Sequence, residues 1–296
     1  MSNWESVFEI QMELWKFWQS PRGKAFGQGF IEDCNKKKKG YESLNGILPE
    51  FETRRLWQAE PIYVAPEMME LLEIAMEGFE PEPLLPSDLI TPSGFMVLPK
   101  PFHVIDVHDQ IVAWRAMLWH PLTIEWEDDK LEGIFLSIYS HIDDPDEVGY
   151  PDVARTMPTK YSLTHIAPWS YYSEIPEDDK ARQVLRQIQC FFRLTMQHIT
   201  THDKYPIPRS SVRRAKRLKF QDRNVTVIRL RRPKTKPQSE GEPINYTHRF
   251  LVRGHWRNQW FPSLNTHRQI YIHEFIKGPE DKPLRISDRR AFELVK

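Results

Sequence analysis

The chain has 296 residues, 40% of them apolar and 28% charged, which suits one large or two ordinary globular domains and excludes a disordered chain. Its net charge is zero, yet residues 51–152 hold 21 acidic against 5 basic side chains and residues 203–277 hold 5 against 18. No run of about 18 apolar residues is present to span a bilayer, and the acidic start MSNWESVFEIQMELWKFW is unlike a signal peptide.

Residues 3–19 read as a helix, because Trp4, Val7, Phe8, Leu14, Trp15 and Trp18 recur at the spacing of one buried stripe. The lysines 36–39 with Gly40 read as a solvated loop. A second helix is expected over 66–78, with Pro66 in its first turn, Gly78 at its stop, and Met68, Leu71, Leu72 and Ala75 on one face. The Pro-rich PEPLLPSDLITPSG is a connection. Three strands follow at 94–99, 111–120 and 133–141, rich in branched and aromatic residues, and they read as an antiparallel meander.

Residues 142–176 read as irregular, and the clearest helix starts near Pro176, with Val184, Leu185, Ile188, Phe191 and Phe192 along its apolar stripe. Pro206 and Pro208 bar its continuation. Beyond them, SSVRRAKRLKF reads as a short basic helix, VTVIRLRRP as a half-buried strand, and THRFLVRGHWR and RQIYIHEFIKG as further strands around a turn at PSLN. The fold class is therefore α+β. Residues 1–175 form an acidic α/β part with an antiparallel sheet, 176–202 a connecting helix, and 203–296 a basic β-rich module.

The chemistry that these residues exclude is as informative as what they allow. His248, His255, His267 and His273 lack the close pairs of a zinc site, and Cys34 and Cys190 stand far apart, which also excludes a disulfide framework and fits a reducing cytoplasm. No phosphate-binding glycine loop or dinucleotide fingerprint occurs, so neither a metal nor a cofactor is expected, and no GxSxG elbow supports Ser-His-Asp chemistry, which composition alone leaves open. One catalytic alternative is a metal-free ribonuclease in which His255 is the general acid/base and Arg253 or Arg257 stabilises the phosphorane charge.

The basic region pairs cations with aromatic rings: Arg213, Arg214, Arg217, Arg231, Arg232, Arg253, His255, Trp256, Arg257, Trp260, His267 and Arg268. Cations release counterions from phosphates and aromatic faces stack on unpaired bases, so these residues are the candidate nucleic-acid surface, better suited to RNA or single strands than to duplex DNA. At least one of Trp256 and Trp260 is expected to pack inside. A further reading has the cations docked on the acidic part, which makes the chain a protein–protein scaffold without nucleic acid.

THRFLVRGHWRNQW with THRQIYIHEFIKGPEDKPL resembles a C-terminal module of proteins encoded by phages and mobile elements, a group related to the anti-CRISPR inhibitors of the type V-A effector. The shared element is Arg253, Gly254, His255 and Trp256, then Trp260; LPSDLITPSGFMVLP (85–99) is a second, shorter match. The resemblance implies a regulatory protein in a host cytoplasm that limits production of the effector at its nascent chain and message. Its implied partners are RNA or a ribonucleoprotein and a host protein target.

Overall fold

Apolar side chains alternate along most strands of one sheet, and this alternation divides the core into two layers on either side of it. The computed structural model describes residues 4–37, 42–105, 111–126, 129–141, 160–172, 175, 177–231 and 247–285. Its strands are β1 (Glu60–Val64), β2 (Gly94–Ile105), β3 (Ile111–Trp126), β4 (Asp129–His141), β5 (Tyr161–Ser170), β6 (Thr200–Tyr205) and β7 (Val225–Leu230), in the order β5-β4-β3-β2-β1-β7-β6. The helices are α1 (Trp4–Gln19), α2 (Pro21–Lys37), α3 (Leu48–Gln58), α4 (Pro66–Met76), α5 (Asp179–Thr195) and α6 (Arg209–Leu218).

Phe95, Val97, Leu118, Tyr139, Val225 and Val227 point to one side of the sheet, where α1, α3 and α6 bury Phe8, Leu14, Leu56 and Ala215. Met96, Leu98, Trp119, Leu136 and Ile228 point to the other, against Met68 and Leu72 of α4 and Phe191 and Phe192 of α5. Period-2 strands sandwiched between amphipathic helices make this an α+β architecture of three layers.

The expected meander is present as β2–β3–β4, and β5 extends it antiparallel across β4. The ladder between β2 and β3 shifts register between Val97 and Phe102, where Pro99 and Pro101 lack the amide hydrogen a regular ladder needs. Two expectations change. The sheet is mixed, because β1 pairs in parallel with both β2 and β7. Part of the stretch expected to be irregular is strand β5, while 142–159 lies outside the described residues.

The boundary expected at 202/203 falls inside this sheet, since β6 and β7 pair with each other and β7 pairs with β1. The change of composition there marks surface charge, whereas the inward positions Val225, Val227 and Ile228 are as buried as those of β1. α5 is likewise a layer of the fold, covering β2 and packing on α4.

Beyond β7 the described chain forms β8 (Arg249–Val252), β9 (His255–Phe261), β10 (Thr266–Ile272), β11 (Phe275–Lys277) and β12 (Leu284–Arg285). β9 and β10 make the hairpin expected around PSLN, with Asn265 at φ 49° in its turn. β11 and β12 flank β8 in a small separate sheet.

One polar cluster lies inside the apolar layer beneath α3. The fully buried Arg55 guanidinium sits between the rings of Phe51 and Phe135, pairs with Glu52 at 2.5 Å, and donates to Ser137 Oγ at 2.8 Å and the Leu118 carbonyl at 3.1 Å. Tyr139 donates to the second Glu52 oxygen at 2.6 Å. Burial lowers the Arg55 pKa, an effect opposed by Glu52, and raises that of Tyr139, so the phenol stays protonated. The cluster fixes α3 on β3 and β4.

Candidate nucleic-acid interface

α6 begins where Pro206 and Pro208 release the chain from β6, and its sequence RSSVRRAKRL has a strict inner and outer face. Ser211, Val212, Ala215 and Leu218 turn inward, with Ser211 and Ala215 buried. Arg209, Arg213, Lys216 and Arg217, at i, i+4, i+7 and i+8, form an exposed row on the outer face. Among the described residues none of these four has a carboxylate within ion-pair distance.

Arg214 stands on the flank of the helix and does other work. It pairs with Glu9 at 2.6 Å and Glu13 at 2.9 Å on α1, and the bond to Glu13 is the main reason its pKa rises further. The helix ends at Lys219, which adopts the left-handed conformation at φ 56°, while Phe220 turns back to bond the Ala215 carbonyl at 2.9 Å. That reversal drives the Phe220 ring into α1, 5.6 Å from Phe8 and 5.1 Å from Trp15.

The RGHW segment has a different setting. Register pairs His255 with Ile272, Trp256 with Tyr271, Arg257 with Ile270 and Trp260 with His267, so His255 and Trp256 lie on opposite faces of the hairpin. Trp256 donates to the Ala75 carbonyl at the end of α4 at 2.7 Å and packs edge-on to Phe79 and Tyr271. Arg268 pairs with Asp88 at 2.5 Å, and Gln269 bonds both the backbone of Glu80 and the side chain of Glu82. Trp256 and Arg268 therefore hold the hairpin against α4 and the 80–88 stretch. Asp88 belongs to LPSDLITPSG and Arg268 to the RGHW module, so the two stretches carrying the sequence resemblance meet in space.

The remaining hairpin candidates face outward. Trp260 is 45% exposed with the His267 ring 5.0 Å away. His255 donates through Nδ1 to the Arg253 carbonyl at 2.9 Å, which leaves Nε2 outward, and Arg257 donates to Gln259 at 2.6 Å. Arg253 and His255 are exposed, Arg231 is exposed just past β7, and Arg232 lies outside the described residues.

The twelve sequence candidates do not share one surface. Arg213, Arg214 and Arg217 ride on the helix layer that contains α1, whereas the hairpin packs with α4 and α5 on the other side of the sheet. Composition counts both groups together because it is blind to the sheet between them. Helical spacing sets Arg209 and Lys216 in the α6 row beside Arg213 and Arg217.

Among the described residues no helix is long and apolar enough to cross a membrane, and no group of three His, Cys, Asp or Glu is placed to hold a metal ion. No family model and no curated protein matches the sequence. Among solved structures the chain is similar to the crystal structure of AcrVA2, an anti-CRISPR protein, at a TM-score of 0.42 and 12% identity, over 91% of this chain and 93% of that one.

Proposed function

We propose that this chain is an anti-CRISPR-like regulatory protein of phage or mobile-element type that binds single-stranded RNA in the host cytoplasm. The observation that carries the RNA part is the row Arg209, Arg213, Lys216 and Arg217 on the exposed face of α6. Cations left without carboxylate partners on a rigid helix hold their charge toward solvent and gain affinity for phosphates by counterion release. The regulatory part rests on the resemblance carried by the RGHW segment. In this reading the hairpin is chiefly a brace, and the acidic part offers a surface to a host protein target.

The test uses the full chain and a short fluorescein-labelled single-stranded RNA. Binding is expected at low salt, weakening as salt rises with a log–log slope of about −0.7 per phosphate contacted. Replacing Arg213 and Arg217 by Ala should weaken binding and flatten that slope. Absence of binding, or binding indifferent to salt and to both substitutions, overturns the proposal.

A further inference from the structure

An open groove of about 440 Å³ lies between the end of α1, the start of α2 and the outer side of α3. Trp15 and Trp18 of α1, Lys24 of α2, and Glu50, Arg54 and Trp57 of α3 line it. The ring nitrogens of two of these tryptophans are already engaged. Trp18 donates to the Tyr139 hydroxyl at 3.3 Å, and Trp57 donates to the Lys219 carbonyl at 3.4 Å. Trp18 is buried and Trp15 half-buried, so the ring surface offered to a ligand is chiefly that of Trp57, which is 39% exposed.

The groove also carries charge. Among the described residues neither Lys24 nor Arg54 has a carboxylate within ion-pair distance, and both are exposed at its rim. It is continuous with the α6 row, because the residue that ends α6, Lys219, bonds Trp57, and the next residue, Phe220, packs on Trp15. Stacking surface, cations and an adjoining cationic helix together match a strand whose bases are free to turn out of the stack.

We infer that this groove receives one unstacked base of the RNA whose phosphates lie along α6, an inference that rests on the RNA-binding reading above. Trp57 is the stacking platform, and Lys24 and Arg54 hold a neighbouring phosphate. Glu50, the one carboxylate lining the groove among the described residues, is an acceptor for a ribose 2′-hydroxyl or an exocyclic amine and repels a phosphate, which places the phosphate on the Lys24 and Arg54 side.

The experiment titrates the full-length protein with labelled oligouridylate and with an abasic ribose-phosphate strand of equal length. Trp57→Ala should weaken oligouridylate binding about tenfold, within what stacking on one aromatic side chain contributes per base. It should leave the abasic strand unaffected, and Trp57→Phe should keep most of the affinity. The Arg213→Ala/Arg217→Ala variant should weaken both strands. If Trp57→Ala binds oligouridylate like wild type while the α6 variant still fails on both strands, the groove is refuted and RNA binding by α6 stands. Equal weakening on both strands refutes base stacking. A polyglutamate peptide bound by wild type and lost in Trp57→Ala, with RNA binding intact, assigns the groove to an acidic protein partner instead. Wild-type protein that binds neither strand removes both readings.

Discussion

Arg268 of β10 and Asp88 lie 180 positions apart in the chain and share an ion pair of 2.5 Å. Arg193 of α5 approaches the same Asp88 oxygen at 3.3 Å, and the Asp88 side chain is only 4% exposed. One carboxylate thus ties the hairpin, a core helix and the 85–88 turn, whose Leu85 amide it also accepts at 2.9 Å. Asp88→Ala should cost about 3 kcal/mol, because it leaves Arg193 inside with Glu82 alone as counterion. Arg268→Ala should cost less, about 1.5 kcal/mol, since Asp88 keeps Arg193. Urea unfolding followed by circular dichroism ranks the two; equal losses contradict the assignment of Asp88 as the shared anchor.

Gly254 sits where a side chain has no room. A Cβ there would lie 2.1 Å from the Tyr271 hydroxyl oxygen and 2.9 Å from its ring carbon, and Tyr271 is buried beneath the hairpin. Gly254→Ala is expected to destabilise by about 2 kcal/mol through overpacking. Tyr271→Phe in the same chain should return part of that loss by removing the nearer atom. A double-mutant cycle in thermal unfolding measures the coupling, and strict additivity would show that the two positions do not collide.

The Glu52–Arg55 pair is shielded from water on every side. Arg55→Ala or Glu52→Ala alone should cost about 3–5 kcal/mol, because each leaves an unpaired buried charge. Replacing both by apolar residues of similar size should cost clearly less than the sum of the two single losses. Chemical denaturation of the three variants decides it, and additive losses would mean the pair is not coupled.

The helices that announce themselves in the sequence are those whose burial follows the 3.6-residue period, α1, α4, α5 and α6. α2 is obscured in the sequence for a specific reason: it carries Gly23, Gly27 and Gly29, a residue type unfavourable inside helices. A Cβ at Gly23 would lie 2.1 Å from the Phe17 carbonyl oxygen, and one at Gly27 would lie 2.8 Å from Pro49, so two of these glycines admit close approach within a helix. β5 escaped because Pro168 argues against a central strand, and β5 is an edge strand, where proline is tolerated. The candidate interface was legible at Arg213 and Arg217. Trp15, Lys24, Arg54 and Trp57 come from three helices and share no local pattern, so only the packing of those helices makes them neighbours.

His120 on β3 supplies a pH dependence. Its Nδ1 lies 2.9 Å from Ser93 Oγ, and burial, reinforced by Arg55 and Arg54, holds its pKa down to about 4 from an ordinary 6.5. As pH falls, the unfolded chain takes up this proton before the folded one does. The stability His120 confers is therefore full above about 6.5 and is lost progressively toward about 4. His120→Gln should flatten the fall of Tm across that window relative to wild type, while curves of identical slope would show that His120 does not titrate differently on folding.

The place of β7 beside β1 has a consequence for how the molecule is made. Ile62, Tyr63 and Val64 emerge from the ribosome early, but the strand that covers the free edge of β1 is Val225–Leu230. Until some 160 further residues have been synthesised, the middle of the sheet presents an apolar, unpaired parallel edge, the arrangement most prone to join the wrong chain. The basic stretch around α6 is thus delivered together with the strand that closes the sheet. The cationic face precedes its closing strand in the chain only by the short turn after α6, so charge and closure arrive in one stretch of synthesis.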